Sequence, residues 1–121
     1  MAFWPWAAAR SRTARHEAAH VVVARHLGAY DLEAEVYDRP RSDGTQGHFT
    51  GMFDGSRVDE AVILAAGVAG SPGSWSPTDL ARSGALLDGS EVTVGDVRRR
   101  AARLVRRNRT EIDRLTEELL A

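Results

Sequence analysis

The stretch TARHEAAHVVVARHLG, residues 13–28, limits the possible folds more than any other part of the chain. Three consecutive valines need burial, and two histidines and a glutamate come just before them. At about 100° per residue, helix positions i and i+4 differ by about 40° in azimuth. His16 and His20 therefore point the same way if this stretch is helical. Gly28 sits where a left-handed C-cap residue would end such a helix. The spacing predicts a helix over 12–27, with an apolar face that the rest of the chain has to cover.

His16, Glu17 and His20 form HExxH, which on a helix is a metal motif with a built-in base. Both imidazoles can hold one Zn²⁺, and Glu17 lies one residue round, within reach of a water at the open position. Zinc lowers the pKa of such a water to about 7. A neighbouring carboxylate then takes a proton and returns it to a leaving amine. Two ligands bind weakly, so a third is required. The chain has no cysteine, so the third must be His, Asp or Glu. His26 has the spacing of the third histidine in the metzincin pattern, but that pattern needs a glycine where this chain has Val23. In a continuous helix His26 lies about 80° from His16 and about 120° from His20, two turns away. Arg25 and His26 instead suit the negative end of the helix. Glu33, Glu35, Glu60 and Asp79 remain open as third ligands. Asp79 is the best placed, in the first turn of a helix after a Gly/Ser/Pro loop. Ser76-Pro77-Thr78-Asp79 also reads as a capping box, which would occupy that carboxylate.

The rest of the chain is a mostly helical frame. Residues 33–38 have strand character, RPRSDG is a turn, and QGHFTGMF is the second strand of a hairpin. Ser56 opens a largely buried helix, SRVDEAVILAAGVAG, with Asp59 as its box partner. Residues 71–77 form a loop, 76–87 a helix with Pro77 at its first position, and about 93–120 one long C-terminal helix. In that helix Val97, Ala101, Leu104, Val105, Ile112, Leu115 and Leu119 form one stripe, with arginines 98, 99, 100, 103, 106, 107 and 109 on the other side. The expected class is mainly α with a small β-hairpin, a compact zincin-like helical domain. At 121 residues, 43% of them hydrophobic, one domain over 1–121 is expected. With a net charge of −1 there is no global basic field, so the Arg stripe reads as a solvated face and no nucleic-acid partner is expected. No apolar run reaches the length of a membrane span, and the opening MAFWPWAAAR lacks a basic n-region for a signal peptide. The expected location is cytoplasmic. Trp4 and Trp6 read as cover for one end of the core.

Taken in chain order, several segments resemble the peptidase domain of the FtsH-type ATP-dependent zinc proteases. RHEAAHVVVARHLG is similar to that family's HEAGH helix, with Ala19 in place of its glycine. AVILAAGVAG is placed like its small-residue helix, although GSPGS replaces the acidic pair that follows. SPTDLARSGALL resembles the segment whose Asp-Leu pair supplies the third ligand, and ARLVRRNRTEIDRLTEELL resembles the closing helix. The resemblance covers residues 12–120. It implies His16, His20 and Asp79 as zinc ligands and Glu17 as general base. It also implies a strand beside the site that pairs with an extended substrate, for which His48, Phe49, Thr50 and Gly51 are the nearest candidates.

The expected function is that of a zinc metallopeptidase acting on unfolded proteins or peptides. No P-loop accompanies the motif, so an ATPase would act in trans. The family's ring assembly makes a homo-oligomer an open expectation. The alternatives are a peptidase fold kept as a binding or regulatory module without turnover, and a nucleic-acid binder using the Arg stripe.

Overall fold

The computed structural model describes residues 7–74 and 76–121. The expectation for Trp4 and Trp6 falls outside these residues. The chain is mainly helical with one two-stranded antiparallel sheet. Its elements are α1 (Ala7–His26), β1 (Tyr30–Val36), β2 (Gly47–Met52), α2 (Arg57–Gly70), α3 (Pro77–Leu86), α4 (Val94–Arg107) and α5 (Arg109–Leu120).

Helix α1 is the central element. It packs against α2, α5 and both strands, and every residue from His16 to Ala24 is buried. This near-total burial explains why its polar residues do not gather on a solvent face. The helix ends as its glycine requires. Gly28 adopts φ +95, the Ala29 N–H bonds the Ala24 carbonyl, and the Gly28 N–H bonds that of Arg25. This double closure is a Schellman motif. At the other end α1 begins by Ala7, earlier than the predicted residue 12.

The hydrophobic core joins α1, α2 and α4 through small residues: Ala18, Ala19, Ala61, Ala65, Ala66 and Ala101, with Val22, Val62 and Val97 between them. Small side chains let helix axes approach closely. At the α1–α2 crossing a Cβ on Gly70 would overlap that of Ala19. Arg15 of α1 spans the same seam, donating to the Gly70 carbonyl at 3.1 Å and pairing with Asp113 of α5 at 2.7 Å.

The C-terminal segment differs from the single helix expected over 93–120. It bends at Asn108, whose side-chain amide donates to the Leu104 carbonyl at 2.9 Å. Before the bend α4 lies on α2, and after it α5 lies on α1. A straight helix could not cover both. The apolar stripe survives the bend, because Val97, Ala101, Val105 and Ile112 are all buried. On the polar side Arg100 pairs with Asp59 and Arg99 with Asp96, while Arg98, Arg103, Arg106, Arg107 and Arg109 are exposed.

Strands β1 and β2 pair antiparallel, with Glu35 opposite His48 and Val36 opposite Gly47. β1 starts at Tyr30, earlier than predicted, across an irregularity at which Asp31 takes φ 52. Only one edge of β2 is used within the sheet. No helix among the described residues is long and apolar enough to cross a membrane.

Candidate metal centre

Helix α1 carries His16 and His20 on one face, one turn apart. Their Nε2 atoms lie 2.9 Å from each other. Helix α3 brings Asp79 to the same point, with Oδ2 3.3 Å from His16 Nε2 and 3.1 Å from His20 Nε2. These three atoms form the one such cluster of potential ligands found among the described residues. A zinc tetrahedron with bonds of about 2.0–2.1 Å has ligand atoms roughly 3.3 Å apart, close to these separations.

The outer hydrogen bonds fix the protons. His20 Nδ1 lies 2.8 Å from the Ile63 carbonyl, which can only accept, so Nδ1 carries the hydrogen. Ser74 donates its hydroxyl to the Ser71 carbonyl, which leaves its oxygen to accept from His16 Nδ1 at 2.7 Å. Each imidazole therefore holds its Nδ1 hydrogen outward and turns Nε2 inward, toward Asp79. Burial alone would raise the Asp79 pKa, but the hydrogen bonds and charges of His16 and His20 hold it far below the ordinary aspartate range. Asp79 thus adds an ionised, acceptor-only oxygen. Three potential ligand atoms, two imidazole nitrogens and one carboxylate oxygen, face one another at hydrogen-bond distance. The arrangement calls for a cation, either an extra proton on one imidazole or a metal ion. Imidazoles held through their far nitrogens are the usual condition of metal-ligating histidine.

Glu17 completes the group. It is 5% exposed, with Oε1 3.8 Å from His16 Nε2. Burial pushes its carboxyl above the ordinary glutamate range, against the lowering effect of His20 and His16. Ser76 accepts the Asp79 backbone N–H at 3.3 Å, so the serine half of the expected capping box is present, without the reciprocal bond from the Ser76 N–H to the Asp79 carboxylate. The Asp79 carboxylate is nonetheless turned to the histidines.

The other sequence candidates separate. Exposed His26 pairs with Glu111 at 3.1 Å, away from the cluster. Glu33, Glu35 and Glu60 are not part of the cluster. Of the proposed substrate strand, His48 and Phe49 line an open cleft of about 630 Å³ that contains the triad and Glu17. Thr50 and Gly51, with Phe49, line a smaller neighbouring hollow of about 280 Å³. Phe49 stacks on the His20 ring with centroids 4.4 Å apart. The Tyr37 hydroxyl lies 2.6 Å from His48 Nδ1.

Sequence reasoning missed three supports. A Cβ at Gly67 would collide with His16 Nε2 and His20 Nε2, so only glycine leaves room for both rings beneath α2. Ser74 and the Ile63 carbonyl set the tautomers. The signal for Gly67 was present in the small-residue run AVILAAGVAG, but its target was not. No protein-family model, curated protein or solved structure matches the chain.

Proposed function

We propose that the chain is a zinc-dependent metallopeptidase, similar in its site to the FtsH-type peptidase domains. The observation that carries this reading is the convergence of three potential ligand atoms, from His16, His20 and Asp79, beside the buried carboxylate of Glu17. Bound there, Zn²⁺ would supply Lewis acidity toward a water and a substrate carbonyl.

The chain's own residues would do the rest. Ser74 and the Ile63 carbonyl hold the imidazoles in the ligating tautomer. Phe49 and Gly67 fix the planes and depth of the rings. Glu17 takes a proton at its carboxylate from the attacking water and delivers it to the leaving amide nitrogen. Its raised pKa suits that exchange, since a base poised nearer neutrality can both accept and give back the proton. The free edge of β2, from His48 to Gly51, would hold an extended peptide by main-chain hydrogen bonds. The cleft is open, so unfolded chains and peptides are the substrates, with any unfolding done by an ATPase in trans.

The test is metal analysis of purified protein followed by cleavage of casein or a quenched fluorescent peptide. Stoichiometric zinc is expected, together with cleavage that chelation abolishes. Glu17→Gln should keep the zinc and lose at least about 10²-fold in rate. A Glu17→Gln protein that cleaves as well as the parent would exclude this mechanism.

A further inference from the structure

The cleft around the triad holds two guanidinium groups that the proposed chemistry does not use. Arg12 lies one helical turn before His16 on α1, and Arg82 one turn after Asp79 on α3. Both line the same cleft as the triad and Glu17. Both are exposed, and neither makes an ion pair or hydrogen bond among the described residues. By contrast Arg10, Arg15, Arg99 and Arg100 each pair with a carboxylate. The carboxylates of the cleft are already engaged. Asp79 faces the two histidines, Glu17 is buried beside them, and Asp43 accepts from the Thr45 N–H and hydroxyl.

We propose that Arg12 and Arg82 are carboxylate-binding subsites in the cleft around the triad, so that the favoured substrate is an acidic peptide. A guanidinium is a planar, permanently charged fork that matches a carboxylate with two parallel hydrogen bonds. One group on α1 and one on α3 line the cleft in which a peptide would be cut. An anionic group bound at either would therefore lie a short distance along the chain from that bond. Without a metal, the negative groups of the cleft outnumber its arginines. A divalent cation at the triad reverses that balance, so metal and acidic peptide should favour each other's binding. The carboxylate recognised belongs either to an Asp or Glu side chain or to the peptide's C-terminus. The inference rests on the peptidase reading for the word substrate, but the binding itself does not depend on turnover.

The test uses fluorescein-labelled peptides and the zinc-loaded Glu17→Gln protein at low ionic strength, read by fluorescence polarisation. One peptide carries glutamates and its counterpart carries glutamines at the same positions. Each is made with a free and with an amidated C-terminus. The glutamate peptide should bind roughly five- to tenfold tighter than its glutamine counterpart. That advantage should shrink in Arg12→Gln and in Arg82→Gln, and chelation should reduce it. If the free terminus rather than the glutamates gives an advantage that these variants lose, carboxylate recognition stands and its source is the chain end. Equal binding of all four peptides overturns the proposal, as does an acidic preference that survives both arginine substitutions. Both side chains are exposed and make no ion pair or hydrogen bond among the described residues, so the variants should keep the parent's circular dichroism. Acidic-peptide binding without any cleavage by the parent protein would leave the subsites standing and refute the peptidase reading alone.

Discussion

Two residues beside the cluster carry opposite lessons about burial. Glu17 is held away from water, and burial raises its pKa. A glutamate whose folded pKa lies above its unfolded value of about 4.3 favours unfolding once it ionises. The cost is absent below the unfolded value, where the group is protonated in both states. It grows as pH rises through the interval between the two pKa values and is complete above the folded one. In chelator-treated protein, Glu17→Gln should therefore raise the melting temperature at pH 7–8, and the gain should vanish near pH 4. Thermal melts across that range check it, and a variant less stable than the parent at pH 8 would contradict it. Gly67 shows the reverse case, since its lack of a side chain is what the site uses. In the middle of a helix, Gly→Ala ordinarily stabilises by roughly 1 kcal/mol. Here the added methyl meets two imidazole nitrogens, and overpacking of a close-packed interior costs about 1–3 kcal/mol. Gly67→Ala should show no net gain in a denaturant titration and should weaken zinc binding by at least about tenfold. The glycine's partners lie some fifty residues away on α1, so nothing around position 67 in the sequence names them.

Secondary elements were legible where their signal is local. The i, i+4 spacing of His16 and His20, the glycine stop of α1 and the serine caps of α2 and α3 each depend on neighbours within a turn, and each is present. Asp79 was harder. Spacing gave it only a modest edge over several other carboxylates, and a resemblance made it the preferred one before the fold brought it to the histidines. The bend at Asn108 was invisible, because the stripe from Val97 to Leu119 reads as one amphipathic run whether or not the helix turns from α2 to α1. At the bend sits Ile112, fully buried and the largest such side chain among the described residues. It anchors the second half of the run in the core shared by α1, α2 and α4. Ile112→Ala should cost about 2–5 kcal/mol in a urea titration, through lost transfer energy and the cavity left behind. A loss below 1 kcal/mol would mean that α5 is only loosely docked.

At the level of the whole molecule, the triad is also a staple between elements that otherwise touch little. Helix α3 packs chiefly on α2, through buried Ser83, whose hydroxyl donates to the Ala61 carbonyl, and through Leu87 just beyond its end. Its link to the central helix α1 runs through Asp79. A metal shared by His16, His20 and Asp79 would tie α3 to α1, at a separation in sequence of about sixty residues. Zinc that binds only the folded chain, at one hundred times its dissociation constant, adds about 2.7 kcal/mol. For a domain of this length that corresponds to a rise of roughly 8–15 °C in melting temperature. The gain should not be uniform. Amide exchange should slow most in α3 and in residues 71–74, which are otherwise free to open without disturbing the α1–α2–α4 core. Because the ligands must be free of protons, the zinc-dependent shift should also shrink as pH falls. Asp79→Asn preserves size and the Ser76 cap but removes the anionic ligand. It should reduce the melting shift and abolish the added protection in α3. Equal zinc shifts in parent and Asp79→Asn, or protection confined to α1, would place the metal somewhere other than between these two helices.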